Sequence, residues 1–518
     1  MISFKKSSSL KISTIVISTL FYTACYAQNI SEKAVEKPNI IYILADDLGI
    51  GDVQVFNKNG KIKTPNLDQL ALEGMRFTDA HTSSSVCTPT RYGIMTGRYN
   101  WRTTLKKGVL NGTSKALIPK NRTTVASLLK KQGYDTAFIG KWHLGWDWAE
   151  KPNVKGKDSY DFSKPVSHTP NDLGFDYAYG ICGSLDMAPY IYVENSKPTA
   201  KSETIANGNK GYGFWRKGPV ADDFEHEQVL PNFINRSVKY IESKKNSKKP
   251  FFLYVPLPSP HTPILPTKEF QGKSGLNPYG DFVMMVDAYV GKIFDIVKAQ
   301  GMENNTLIIF TSDNGTSGKA NFKALKDKGH DPSAGYRGLK ATIFEGGHRV
   351  PFIAKWTGVI KPNTISNQTI CTTDFMATCA DIVNYKLQNN EGEDSFSMLP
   401  ILKNEIIHGD FREATVHHSS GGFFSIRKGP WKLIFCKDDG GYKELKNSSE
   451  IKGLEYQLYN LENDPSEKNN LYTENVIKYK ELKNLLKKYI KEGRSTPGKV
   501  QQNDIIDFEW TQINSIMQ

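Results

Sequence analysis

The chain has 518 residues, 38% of them hydrophobic and 23% charged, an ordinary globular balance with length for one large core and a smaller one. Its formal net charge is +13. No zinc-finger spacing or long basic run accompanies that charge, which weighs against nucleic acid and leaves an anionic surface or an anionic polymer as partner.

Lys5, Lys6 and Lys11 precede an apolar run from Ile12 to Tyr22, too short to span a membrane as a mature helix. Residues 1–27 read as a signal peptide, cleaved before Gln28 after Cys25-Tyr26-Ala27. A competing reading is a loose lipoprotein box at Thr23-Ala24-Cys25, which would place a lipid on Cys25 and bring membrane contact. Either way the protein leaves the cytoplasm, with the periplasm as its expected compartment. The six cysteines fit neither a zinc site nor a disulfide framework.

Asn39 to Ala45 reads as a buried strand, and its lack of alternation suits a parallel sheet covered on both faces. It stops at Asp46-Asp47. A helix follows with Leu67, Leu70 and Ala71 on one side, then a second from Thr124 to Gly133. Asp135 to Ile139 is a strand stopping at Gly140-Lys141-Trp142-His143. Residues 145–250 read as irregular, rich in Gly, Pro, Asp and aromatics. Phe251 to Val255 is a third strand, running into Pro260-His261. A helix with Val283, Val286, Val290, Ile293 and Val297 on one stripe leads to strand Thr306–Phe310, which ends at Asp313-Asn314. Val350 to Ala354 is a fifth strand. The alternation predicts an α/β catalytic domain over residues 38–388, with a mostly parallel sheet flanked by helices. Ligands of such sheets bind beyond the carboxyl ends of the strands, where these Asp, Lys, His and Asn residues fall. From residue 389 to 518 short strand-like runs and a lysine-rich helix predict a smaller C-terminal α+β domain.

Asp46, Asp47, Asp313 and Asn314 offer only oxygen ligands, which suits a hard cation such as Ca²⁺ or Mg²⁺. The Ser/Thr-rich stretch around Cys87 reads as a loop carrying one thiol, with Arg91 four residues on as a group able to lower its pKa.

Cys87-Thr88-Pro89-Thr90-Arg91 followed by Thr96-Gly97-Arg98 resembles the signature of type I sulfatases. Lys37 to Asp47, Gly140 to Gly145, Pro260 to Pro263, Thr311 to Gly315 and Lys340 to Pro351 resemble further blocks of that family, in family order. The resemblance implies an alkaline-phosphatase-like core and sulfate-ester hydrolysis. It implies that Cys87 is converted to Cα-formylglycine (3-oxoalanine) by a formylglycine-generating enzyme. It implies one Ca²⁺ held by Asp46, Asp47, Asp313 and Asn314 and contacting residue 87. Arg91 and Lys141 would fix the aldehyde hydrate and the sulfate charge, and His143 would contact the hydrate. His261 and Lys340 would bind sulfate on the leaving-group side, with His261 as proton donor.

The stretch Gly174 to Tyr190 resembles bacterial polysaccharide-degrading sulfatases, so a sulfated carbohydrate is the expected substrate. Lys164 to Pro170 departs from that pattern and makes His168 a specificity candidate. Asp186, Trp215, Arg216, His348 and Arg349 are further candidates for substrate contact. Two other classes stay open: a phosphate or phosphonate ester hydrolase on the same fold, and a glycan-binding protein with an unmodified Cys87.

Overall fold

The computed structural model of the protein describes Met1 and residues 37–156, 159–407, 409, 411–441, 456–504 and 516–517. The signal-peptide reading of residues 1–27, Cys25 included, lies outside them. Among the described residues no helix is long and apolar enough to cross a membrane.

The first strand, β1 (Asn39–Ala45), is buried from Ile40 onward. In chain order the other strands of the main sheet are β2 (Met75–Phe77), β3 (Asp135–Lys141), β4 (Tyr177–Ile181), β5 (Val193–Glu194) and β6 (Lys197–Pro198). A separate hairpin of β7 (Thr204–Ala206) and β8 (Gly218–Val220) follows. The main sheet then continues with β9 (Phe251–Pro256), β10 (Thr306–Ser312), β11 (Phe352–Trp356) and β12 (Thr364–Ser366). Its spatial order is β12-β2-β11-β10-β1-β9-β3-β4-β5-β6. The central five, β10-β1-β9-β3-β4, are all parallel. Strand β11, the fifth strand read from the sequence, runs antiparallel to β10 at the side of this parallel set.

Among the described residues the longer helices are α1 (Pro65–Leu72), α2 (Cys87–Thr96), α3 (Val125–Lys131), α4 (Val229–Ser243), α5 (Pro278–Ala299), α6 (Phe375–Ile382) and α7 (Val476–Glu492). Helices α1 and α4 pack on α5, and α2, α3 and α6 pack on one another, which gives the sheet two helical layers. Local chemistry sets their starts. The Asn277 side chain accepts from Tyr279 N and Gly280 N at 3.0 and 3.2 Å to cap α5. Thr124 and Ser127 exchange side-chain and backbone bonds across the first turn of α3.

Two stretches depart from the sequence reading. Residues 145–250 contain a central parallel strand, β4, and the 15-residue helix α4. The spacing of Val229, Leu230, Phe233, Ile234 and Ile241 on the buried side of α4 is helical and was legible. Residue 87 is not in a loop. It opens α2, with Pro89 in the first turn and Gly97 closing the helix at φ 61°.

Beyond the main sheet, β13 (Thr415–His418), β14 (Phe424–Lys428), β15 (Trp431–Ile434) and β16 (Gln457–Asn460) form an antiparallel sheet covered by α7. Its core, with Val416, Phe424, Leu433, Leu458 and Leu486, also takes in Tyr99 and Trp101. The C-terminal sheet is therefore packed onto the larger part, and Pro38–Gln518 forms one compact unit.

Candidate active site

Because β1, β9, β3 and β10 are parallel, their carboxyl ends open on the same edge of the sheet. The turns after them are tied together by backbone bonds: Asp46 N donates to Ser259 O at 3.0 Å and Asp313 N donates to Ala45 O at 3.1 Å. Asp47 and His143 hold left-handed backbone, at φ 65° and 54°. Such conformations cost about 1–3 kcal/mol each for residues other than glycine and persist where the surroundings fix them. A Cβ on Gly315 would lie 1.9 Å from Gly346 O, so only glycine lets the Asp313-Asn314 turn sit against the loop that carries Lys340.

Cys87 and Arg91 are one helical turn apart, on the same side of α2. Arg91 does not serve the thiol. Its Nε and Nη2 donate to Asp313 Oδ2 at 3.0 and 2.8 Å, and its Nη1 donates to Lys141 O at 2.9 Å. Burial and the Asp313 charge push the Cys87 thiol up, against Lys141 and Lys340, which pull it down. The expectation that Arg91 lowers the thiol pKa therefore fails: its guanidinium is committed to Asp313.

Residue 87 is ringed by charge. Its Sγ lies 3.5 Å from Asp46 Oδ1 and 3.6 Å from Lys340 Nζ. Lys141 Nζ pairs with Asp46 Oδ2 and donates to Ser184 Oγ at 3.1 Å. Lys340 Nζ meets Asp47 Oδ1 at 2.6 Å. Asp46, Asp47, Asp313 and Asn314 are all buried, with Asp47 N donating to Asp313 Oδ1 at 3.2 Å and Asn314 Nδ2 donating to Asp47 Oδ1 at 2.7 Å. Burial opposes ionisation of Asp46, but Lys141, His261, Arg91 and Lys340 hold its carboxyl well below the usual range. Burial and the Asp46 charge push Asp313 up.

These residues fit a hard cation. Among the described residues Asp47 Oδ2 and Asn314 Oδ1 are buried acceptors with no hydrogen-bond partner, a costly state unless a cation faces them. Ligand atoms of Asp46, Asp47, Cys87 and His261 lie within 4.8 Å of one another. Oxygen donors dominate the set, which favours Ca²⁺ or Mg²⁺ over zinc.

The two histidines differ. His143 Nε2 lies 2.8 Å from Leu110 O. A carbonyl only accepts, so Nε2 carries the proton and Nδ1 keeps a bare lone pair. Among the described residues that Nδ1 is buried without a partner. Burial, Lys141 and Arg91 hold the ring well below the usual imidazole range, so it is neutral. His261 is anchored through Nδ1 to Thr262 O, with Nε2 3.6 Å from Asp47 Oδ2 and 3.3 Å from Ser184 Oγ. Ser184, which touches both Lys141 and His261, was missed in the sequence. It follows β4, in the stretch read as irregular.

A cleft of about 700 Å³ opens on this centre, and Cys87, His143, His261, Lys340, Asp186 and Arg216 line it. Asp186 pairs with Arg216 and keeps Oδ1 unpartnered. The other substrate candidates do not line the cleft. His168 Nε2 donates to Ile118 O at 2.7 Å. Trp215 donates its indole N–H to Asn207 O at 2.8 Å and stacks on His226, centroids 4.2 Å apart. Arg349 binds Asp79 and Glu345. His348 is fully buried beside His81 and His417. Those three rings are close enough to share a metal, but their nitrogens already face protein groups: Asp79, Arg427, Lys432, Thr82, Thr415 and one another.

In that network Lys432 is buried against Glu345 and Glu467, at 3.1 and 2.8 Å, tying the C-terminal sheet to the loop that follows Lys340. Lys432→Ala is expected to lower stability by about 3–5 kcal/mol, because buried Glu467 loses its cation and Glu345 is left with Arg349. Chemical denaturation measures it; a loss under about 1 kcal/mol would show that the network contributes little to stability.

A family model described as Sulfatase matches residues 38–385, and one described as N-sulphoglucosamine sulphohydrolase, C-terminal, matches 338–496. An N-acetylgalactosamine-6-O-sulfatase of Bacteroides thetaiotaomicron is 32% identical over 87% of this chain and 93% of its own length. Bovine (Bos taurus) arylsulfatase A is 30% identical over 85% of this chain and 84% of its own length. A solved structure from work on glycosaminoglycan metabolism by Bacteroides thetaiotaomicron superposes with a TM-score of 0.76 and 31% identity, covering 88% of this chain and 99% of its own. The structure of i-CgsB with k-i-k-neocarrahexaose superposes at 0.67 and 25% identity, covering 93% and 96%.

Proposed function

The chain belongs to the sulfatase family and is a sulfuric ester hydrolase, and on that premise we propose that it removes sulfate from sugars, using a formylglycine made from Cys87 and one Ca²⁺. The observation that carries this is the convergence of Lys141, Lys340, His143 and His261 on residue 87, beside an oxygen set with two unpartnered buried acceptors. The carbohydrate class is supported by the N-acetylgalactosamine-6-O-sulfatase relative and by the structure in complex with k-i-k-neocarrahexaose. Export, with cleavage before Gln28, is supported by the N-terminal sequence, and a mature N-terminus at Gln28 would exclude a lipid on Cys25.

A sulfate ester carries one negative charge, and more develops on the leaving oxygen as the S–O bond breaks. Lys141 and Lys340 are fixed cations for that charge, already oriented before the substrate arrives. Arg91 acts through Asp313, holding its carboxylate in place. His261, anchored at Nδ1, presents Nε2 to the leaving oxygen and donates the proton it needs. His143, neutral with a bare Nδ1, accepts a proton after that oxygen has gone. Residue 87, once converted to a hydrated aldehyde, would supply one hydroxyl as nucleophile and a second whose deprotonation would reform the C=O bond as the C–O bond to sulfate breaks. Asp46, Asp47, Asp313 and Asn314 would hold Ca²⁺, which polarises sulfate oxygens without proton exchange.

The test is a panel of defined sulfated sugars, N-acetylgalactosamine 6-sulfate first, scored for released sulfate and for the position lost. Faster turnover of matched phosphate or phosphonate esters would overturn the assignment.

Calcium binding is checked separately. Asn314→Ala removes a neutral oxygen donor without unpairing Arg91, and is expected to weaken calcium binding by at least about tenfold. Calcium titration of chelated protein, read by thermal stability, measures it. Unchanged affinity, or stoichiometric zinc in the native protein, would sink the calcium assignment.

A further inference from the structure

Next to the catalytic cleft lies a second cavity of about 490 Å³, which shares Phe214, Gly318 and Lys319 with it and adds Lys210, Gly211, Tyr212 and Asn321. It is open to solvent along most of its face, a groove rather than an enclosed chamber. Two lysines and two aromatic rings line it, and no carboxylate does among the described residues.

The wall between the cavities is built rather than loose. It comes from Phe214, in the loop joining β7 to β8, and from the turn at Gly318–Ala320 that follows β10. Trp215 anchors that loop from beneath through its stacking on His226 and its bond to Asn207 O. Asn209 N donates to Trp215 O at 2.9 Å, and Ile264 N donates to Tyr212 O at 2.8 Å. Tyr212 Oη accepts from Asn277 Nδ2 at 3.3 Å, and the same Nδ2 donates to Ala320 O at 2.9 Å. Asn277 is also the cap of α5, so a long buried helix fixes the floor. Phe214 stands half-exposed on this frame. The Arg216 guanidinium lies 5.4 Å from its ring centroid and the Lys319 ammonium 5.8 Å.

We propose that this cavity is a second sugar subsite, which takes the neighbouring residue of an oligosaccharide and favours a carboxylate or a sulfate on it. This deepens the carbohydrate reading above and rests on it. The shared wall makes the two cavities contiguous, so a sugar whose sulfate reaches residue 87 directs its glycosidic neighbour past Phe214. The apolar face of a pyranose stacks on an aromatic ring, and Lys210 and Lys319 supply charge for an anionic substituent. Trp215 is then a positioning residue that holds Phe214 and Arg216 between the two sugars.

The experiment compares four substrates: N-acetylgalactosamine 6-sulfate as the free sugar, joined to glucuronate, joined to the carboxyl-reduced neutral hexose, and joined to a sulfated neutral hexose. The two disaccharides with an anionic partner are expected to have a KM about fivefold below the neutral one at low salt. High salt erases that difference. Lys210→Glu abolishes it and leaves turnover of the free sugar unchanged, because Lys210 lies outside the catalytic cleft, while Lys210→Arg preserves it. A preference for carboxylate over sulfate, or the reverse, identifies which anion the site reads. Equal KM for charged and neutral disaccharides in the native enzyme, or a difference that survives Lys210→Glu, overturns the subsite. Hydrolysis of nitrophenyl sulfate but of no sugar sulfate overturns the carbohydrate reading itself, and the subsite with it.

Discussion

Cys87→Ala is expected to reduce kcat on every sulfate ester by about 10⁴- to 10⁶-fold, the scale seen when an activated nucleophile is removed from a covalent mechanism. The fold should survive the change. Cys87 opens a ten-residue helix whose packing does not depend on sulfur, and its Sγ contacts are Asp46 and Lys340. What remains in the variant is binding: Lys141, Lys340 and His261 still surround the sulfate position. KM should therefore change far less than kcat. The same logic applies to native protein that has escaped modification. Arg91 is paired to Asp313 and not to the sulfur, and burial with the Asp313 charge outweighs Lys141 and Lys340 at the thiol, so a thiolate is disfavoured. Specific activity should rise in proportion to the aldehyde fraction at residue 87, read by peptide mass spectrometry. A fully active preparation carrying only free thiol at Cys87 would refute the formylglycine assignment.

The site was legible in the sequence where chemistry coincides with strand ends. Runs such as Asn39–Ala45 and Thr306–Ser312 are apolar without alternation because both faces of a central parallel strand are covered. Whatever polar group follows such a run lands on the ligand-binding edge, which located Asp46, Asp47, Lys141, His143, His261, Asp313 and Asn314. Ser184 escaped because its strand, Tyr177–Ile181, sits inside a stretch rich in loops and aromatics. The helical start at Cys87 escaped because Ser83, Ser84 and Ser85 read as turn residues, while the signals that favour a helix, Pro89 and Gly97, lie further on. His348 and Arg349 show a different limit. A histidine-arginine pair beside a catalytic loop suits a substrate contact or a buried network equally well. The deciding partners, Asp79, Arg427 and Lys432, come from distant segments that fold onto the loop.

His261→Ala is expected to slow hydrolysis of a sugar sulfate by about 10²–10⁴-fold, the usual worth of general acid help, and nitrophenyl sulfate far less. A sugar alkoxide is a poor leaving group and needs a proton as the S–O bond breaks; a nitrophenolate leaves without one. His261 has the geometry for that donation. It lines the cleft, its Nδ1 is tied to Thr262 O, and its Nε2 lies toward Asp47 and Ser184. His143→Ala should behave differently. Its Nδ1 is the bare acceptor of the pair, because Nε2 is bonded to Leu110 O at 2.8 Å. It has a task only once the leaving group has departed. The variant should release about one equivalent of nitrophenol per active site in a fast burst, then turn over slowly, and it should lose similar factors on both substrates in the steady state. Both variants are measured on both substrates, with rapid-mixing kinetics for the burst. Equal losses on the two substrates for His261→Ala would remove its role as proton donor. A slowed His143→Ala without a burst would place its effect before the leaving group departs, and would make that histidine a positioning residue held by its strained backbone.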